Sequence, residues 1–243
     1  MKKHRRKILL VLVLCLIVSA ALLLTRRKEA AQANSIDEKP FILLIMGDSQ
    51  MAGYGWTGGY GNCLSEVYPN ATLINLAQSG ALLANGEIHA QWDFYLAETD
   101  IMPDYVLLDG GINDLSYLKM EKFPEGGFRL ASDAMCALIE HIHTESPDTK
   151  IIYVAMPPFA EWTEAEDGIP AYDIQENYWR HMNGIAGAYE YVTVVDLFSI
   201  DPFGYPDVAS YQKNIADSVH LSEAGYRNTF EYINKALETC LVK

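Results

Sequence analysis

An α/β domain, with a mostly parallel sheet covered by helices on both faces, is the expectation from three features of this 243-residue chain. Five short apolar runs follow one another along the sequence, and longer amphipathic segments separate them. The segments leaving the first three runs each carry glycine beside polar residues, at the strand ends where an open α/β sheet presents its ligands.

Phe41–Met46 (FILLIM) is apolar throughout, as a strand buried on both faces requires. A short helix is expected near Cys63–Tyr68, and Thr72–Ala77 reads as the second strand. Helix Ile88–Glu98 leads to strand Tyr105–Asp109, followed by helix Phe128–Thr144. In that helix Leu130, Ala134, Ala137, Leu138 and His141 recur at spacings of three and four, which predicts its buried face. Ile151–Met156 is the fourth strand, Ile174–Tyr189 a further helix, Val192–Leu197 the fifth strand and Ser222–Leu241 the closing helix.

Hydrophobic residues at 50% supply a core for one domain, expected over residues 41–243. The charge is unevenly placed. Residues 1–33 hold 8 of the 18 Lys and Arg and a single acid, Glu29, so the rest carries 10 basic against 31 acidic residues, a net of −21. Such a surface repels nucleic acid and anionic lipid headgroups. Lys2 to Lys7 precede an apolar run, Ile8–Thr25, whose eighteen residues would rise about 27 Å as a helix, close to the roughly 30 Å of a bilayer's hydrocarbon core. Residues 1–25 are therefore either a signal anchor or a signal peptide cleaved near Ala33, after Ala31-Gln32-Ala33, with residues 26–40 a polar linker. The basic Arg26-Arg27-Lys28 favours the anchor. Heavier positive charge before the run than after it puts the N-terminus inside and the acidic domain outside the cytoplasm, with membrane contact through the N-terminal segment only.

Chemistry is expected at three strand ends: Gly47-Asp48-Ser49-Gln50, Gln78-Ser79-Gly80 and Gly110-Gly111-Ile112-Asn113-Asp114. A serine hydroxyl needs an adjacent base, and that base needs an orienting group. His220, just before the closing helix, is the candidate base for Ser49. Asp217, three residues earlier, can fold back in one turn to accept the imidazole's other N–H. The Asn113 side chain and the backbone N–H groups of Ser49 and Gly80 are candidate donors to a developing oxyanion. Asp48 reads as an acceptor bracing its loop and Asp114 as a turn cap.

GDSQ at 47–50, Gly80 in NLAQSG, GGIND at 110–114 and DSVHLS at 217–222 resemble, in order, the four sequence blocks of the SGNH hydrolases, the GDSL-type esterases and lipases. The resemblance runs from Phe41 to about Leu237. It implies a flavodoxin-like three-layer α/β/α fold with strand order 2-1-3-4-5, and hydrolysis of an ester or related acyl bond. By the same resemblance Ser49 is the nucleophile, His220 the base, Asp217 its partner, and Gly80 and Asn113 the oxyanion donors. Gln50 stands where the family name has leucine, a departure expected to touch the substrate's surroundings more than the chemistry. The resulting expectation is an extracytoplasmic serine esterase working through an acyl-enzyme on a small-molecule or carbohydrate ester, with a short acyl group such as acetyl. Transfer of the acyl group to a sugar hydroxyl, or glycan binding without turnover, are the rival readings.

No cofactor or metal is expected. His141 and His143 are two apart on a helix and point to different faces, and His89 and His181 have no evident partner along the sequence. Gly53, Gly55, Gly58, Gly59 and Gly61 lack the spacing of a nucleotide loop and read as a flexible wall beside Ser49. Tyr54, Trp56, Tyr60 and Trp92, with the acidic connection Pro157–Tyr172, either stack on substrate or close the domain's rim. Beyond Cys15 in the apolar run, Cys63, Cys136 and Cys240 are an odd number for a disulfide framework, with one bridge possible and Cys136 read as a small buried hydrophobe.

Overall fold

The computed structural model describes residues 40–119, 127–159, 171–205, 207–217 and 219–242. The expected N-terminal span and most of the connection 157–172 lie outside them. Among the described residues no helix is long and apolar enough to cross a membrane.

Five parallel strands, β1 (Ile42–Met46), β2 (Thr72–Asn75), β3 (Tyr105–Asp109), β4 (Lys150–Ala155) and β5 (Val192–Asp196), form one sheet in the order β2-β1-β3-β4-β5. The register pairs Ile42 with Thr72 on one side of β1 and Leu43 with Tyr105 on the other. It continues from Tyr105 to Lys150 and from Ile151 to Val192. The central strands β1, β3 and β4 are buried almost throughout, whereas the edge strands β2 and β5 are mostly half-exposed. A parallel sheet buries both faces only where crossover helices cover it, and the edges receive less cover. β2 stops at Asn75, two residues short of the expected end. There the side chain turns back on the backbone, accepting from Ala77 N at 3.0 Å and donating to Met51 O at 2.9 Å.

The helices are α1 (Ser49–Ala52), α2 (Gly59–Val67), α3 (Glu87–Glu98), α4 (Ile112–Lys119), α5 (Gly127–Glu145), α6 (Ala171–Ala186), α7 (Leu197–Ile200), α8 (Val208–Asn214) and α9 (Glu223–Leu241). One layer joins α9 to α2 and to the β4–β5 half of the sheet; the other joins α3, α5 and α6. Helix α9 buries Tyr226, Phe230, Ile233 and Leu237, at spacings of four, three and four, and Ser222 caps it by accepting from Gly225 N. Its polar side chains fasten it to α2, with Tyr60 on Thr229 (2.9 Å), Tyr68 on Asn234 (2.7 Å) and Arg227 paired with Glu66.

Helix α5 is rotated from the expected face. Ala131, Met135, Leu138, Ile139 and Ile142 are buried, while Leu130 is 43% exposed. The longer apolar side chains take the core, and His141 moves to the shoulder of the helix, facing α3.

Candidate active site

The chain leaves β1 and crosses to β2 at one edge, then returns through α3 to β3 on the other side of β1. Carboxyl ends of strands flanking such a reversal bear the site in open α/β sheets. Gly47 opens it with φ of +142°, and a side chain there would collide with Asp109 Oδ1. Glycine is therefore required where β1 turns over β3. The buried Gln91 of α3 holds this turn through both its amide atoms, accepting from Gly47 N and donating to Gly47 O, each at 2.8 Å.

Asp48 caps α1 by accepting from Gln50 N at 3.0 Å, the bracing role expected of it. Its own N–H donates to Asp109 Oδ1 at 3.0 Å. Both carboxyls are buried, and neither Oδ2 has a hydrogen-bond partner. Burial pushes the Asp48 carboxyl up to about 7, against the Gln50 N–H, which favours its ionised form; the nearby Asp114 charge adds to the rise. Burial first, and then the charge of Asp48, raises Asp109 well above the carboxylate range.

Ser49 begins α1 and is 5% exposed. His220 Nε2 lies 3.0 Å from Ser49 Oγ, and His220 Nδ1 lies 2.7 Å from Asp217 Oδ2. Asp217 Oδ1 accepts from the N–H groups of Val219 and His220, both at 2.8 Å. The partial burial of Asp217 opposes ionisation. Hydrogen bonds from the His220 ring and those two N–H groups outweigh it and hold the carboxyl at about 2. An ionised carboxylate only accepts, so His220 Nδ1 carries the proton and Nε2 is left to accept from the Ser49 hydroxyl. The loop bearing His220 is closed at its base by the Ile215–Leu221 bridge and by Ser222 N donating to Asn214 O.

Gln50 has a larger role than its expected one. It is fully buried, its Nε2 donates to Val219 O at 2.9 Å, and its Oε1 accepts from Leu221 N at 3.4 Å. The residue after Ser49 thus grips the chain on both sides of His220. Tyr226 secures it in turn, donating from its hydroxyl to Gln50 O at 2.6 Å.

Gly80 stands in the exposed loop after β2 with φ of +84°. Asn113, at the start of α4, donates from Nδ2 to Ala81 O at 3.0 Å, tying the loops after β2 and β3 together. An amide carries two N–H donors, which leaves one for an incoming oxygen. Asp114 does more than cap a turn: it is buried and accepts from Leu83 N (3.0 Å) and Ala84 N (2.9 Å) of the neighbouring loop.

The glycine-rich stretch is a wall, but a closely packed one. A side chain at Gly55 would meet Leu221 O of the His220 loop, so only glycine lets the two segments touch. The aromatics separate by role. Tyr60 and Trp92 are fully buried, and Trp56 packs against Tyr226 with the Arg227 guanidinium 5.0 Å from its ring centre. Tyr54 is 65% exposed, with its ring 4.3 Å from that of His220. Cys63, Cys136 and Cys240 are free thiols; Cys63 is the buried one and Cys136 is half-buried.

A hydroxyl, an imidazole and a carboxylate joined in sequence at the carboxyl end of a parallel sheet are the equipment of a hydrolase that acts on acyl groups. Residues 45–227 match the model of the GDSL-like Lipase/Acylhydrolase family, and the chain belongs to that family. No curated protein matches the chain. Among solved structures, the lipase/acylhydrolase from Enterococcus faecalis is similar at 18% identity and a TM-score of 0.62, covering 82% of this chain and 96% of its own. An acetylxylan esterase from Geobacillus stearothermophilus is similar at 20% identity and 0.63, covering 81% and 94%. An alpha/beta hydrolase enzyme from the metagenome of Lake Arreo, Spain, gives 20% and 0.61, covering 83% and 96%. At these identities the likeness is one of fold, and the five-stranded order 2-1-3-4-5 is that of the SGNH hydrolases.

Proposed function

We propose that this chain is a serine esterase that removes a short acyl group, acetyl on a carbohydrate being the best fit, through Ser49, His220 and Asp217. The observation that carries the reading is the unbroken hydrogen-bond chain Ser49 Oγ–His220 Nε2, His220 Nδ1–Asp217 Oδ2, at 3.0 and 2.7 Å. His220 Nε2 takes the Ser49 proton as Oγ bonds to the acyl carbon and the carbonyl π pair moves onto oxygen. Asp217 holds the tautomer and stabilises the imidazolium. Ser49 N, Gly80 N and the remaining Asn113 N–H receive the oxyanion. Collapse breaks the bond to the leaving alcohol, which takes the proton from Nε2. Water then repeats the sequence on the acyl-enzyme and releases the acid.

The sugar preference draws on Tyr54, an exposed ring beside His220 and a suitable platform for a pyranose face. The acetylxylan esterase among the structural neighbours points the same way. Residues 8–25 are proposed to hold the domain outside the cytoplasm. The domain should then be digested by protease added to intact cells expressing the full chain.

Acetyl, butyryl and octanoyl p-nitrophenyl esters, with acetylated xylo-oligosaccharide, offered to the full chain and to Ser49→Ala, test the reading. Acetyl preference with loss of turnover in Ser49→Ala is expected. Turnover persisting in that variant would overturn the nucleophile, and a preference for octanoyl would overturn the short-acyl assignment.

A further inference from the structure

Two histidines that lie 52 residues apart meet on the face shared by α3 and α5. His89 Nε2 is 2.8 Å from His141 Nδ1, and Asp93, one turn along α3 from His89, places Oδ1 3.7 Å from the same His141 nitrogen. The three ligand atoms all lie within 4.8 Å of one another, and both imidazoles are half-buried while Asp93 is open to solvent. We propose that His89, Asp93 and His141 bind a divalent first-row transition ion, zinc being the test case, and that this ion staples α3 to α5.

The donor set is the first support. Two neutral imidazoles and one carboxylate, with a further position left to water, is a zinc-type set. Around a tetrahedral ion with bonds of 2.0–2.1 Å the ligand atoms stand about 3.3 Å apart. The distances of 2.8 and 3.7 Å bracket that value, so shifts of about half an ångström in partly exposed side chains suffice.

Glu145 is the second support. It lies one helical turn beyond His141, with Oε1 4.0 Å from His141 Nε2. Once Nδ1 bonds to an ion the hydrogen of this imidazole sits on Nε2, where a small shift of the Glu145 side chain lets the carboxylate accept it. Metal-bound histidines carry this kind of outer carboxylate partner. In the ion-free chain one of the two facing nitrogens, His89 Nε2 or His141 Nδ1, carries the hydrogen between them. On binding, that hydrogen passes through solvent to the other nitrogen of its own ring, and both facing nitrogens then bond to the ion. The surface net charge of −21 from residue 34 onward attracts cations to the site.

Calorimetric titration of the full chain with ZnCl2 after chelator treatment, and a Co2+ absorption spectrum, test the proposal. One saturable equivalent is expected, with Co2+ bands that lack thiolate charge transfer. His141→Gln and His89→Asn should each abolish that equivalent, and Glu145→Gln should weaken it roughly 10–100-fold. A hundredfold excess of Zn2+ over Kd should raise Tm by about 5–10 °C, reversed by EDTA. The proposal is overturned by the absence of a saturable equivalent, by one that survives in both histidine variants, or by a thiolate signature pointing to Cys63, Cys136 or Cys240.

Discussion

Ser49 sits on a turn whose neighbours Asp48 and Gln50 are fully buried, whereas Asp217 stands on a loop with its side chain 46% exposed. The two halves use the same residue type in opposite ways. Asp48 and Asp109, out of reach of water, are driven toward the neutral acid, and they brace the backbone beside Ser49. Asp217 keeps its charge because three N–H groups point at it. Position in the sheet decides which carboxylate is a strut and which can support an imidazolium.

If the halves are correctly divided, variants should separate them by size of effect. Ser49→Ala removes the nucleophile, and kcat/KM for p-nitrophenyl acetate is expected to fall roughly 10^4- to 10^6-fold with unchanged circular dichroism. Asp217→Asn keeps the shape but offers N–H where an acceptor is needed, and kcat should drop about 10^4-fold with KM little altered. Loss of the Asn113 donor in Asn113→Ala should cost about 10^2- to 10^3-fold in kcat. Gln50→Leu installs the leucine of the family name and cuts both hydrogen bonds to the His220 loop. It should lower kcat about tenfold by loosening His220, together with Tm, and an unaltered kcat would show that the loop holds without Gln50.

The smallest effect concerns pH and stability, measured as the urea midpoint of the full chain. Asp48 has a folded pKa of about 7 against an unfolded value near 3.8, so between those values the folded state retains a proton that the unfolded state has lost. Stability therefore falls as pH rises from about 4 to 7. Asp48→Asn should reduce that slope, with the raised carboxyl of Asp109 supplying what remains. Asp217 acts in the reverse sense: held at about 2, it contributes stability above pH 4 that disappears as pH falls through 2. Asp217→Asn should remove only this acidic limb.

Much of the sheet was legible because its signal is local. FILLIM, YVLLD and IIYVA need no partner to be recognised as buried strands, and they account for the three central ones. Four short helices, α1, α4, α7 and α8, escaped because at four to eight residues they hold too few turns for an amphipathic period to stand out. Helix α2 begins at Gly59, four residues before its expected start, since packing against α9 overrides the low helix propensity of glycine. Ser49, Asp217 and His220 were visible as motif residues, and the i, i+3 relation placed Asp217 on the imidazole correctly. Gln91 on Gly47, Gln50 on the His220 loop and His89 on His141 were not visible. Their partners are 44, 169 and 52 residues away, and no spacing rule reaches that far.

The distance between Ser49 and His220, 171 residues, has a consequence for the life of the chain. Residues are made in order, so Ser49 emerges from the ribosome long before His220 exists. The two can meet only after α9 has been synthesised and has docked on α2. A half-made or clipped chain that lacks the His220 loop and α9 therefore holds Ser49 without its imidazole partner, and turnover at the proposed site should appear only once the domain has closed.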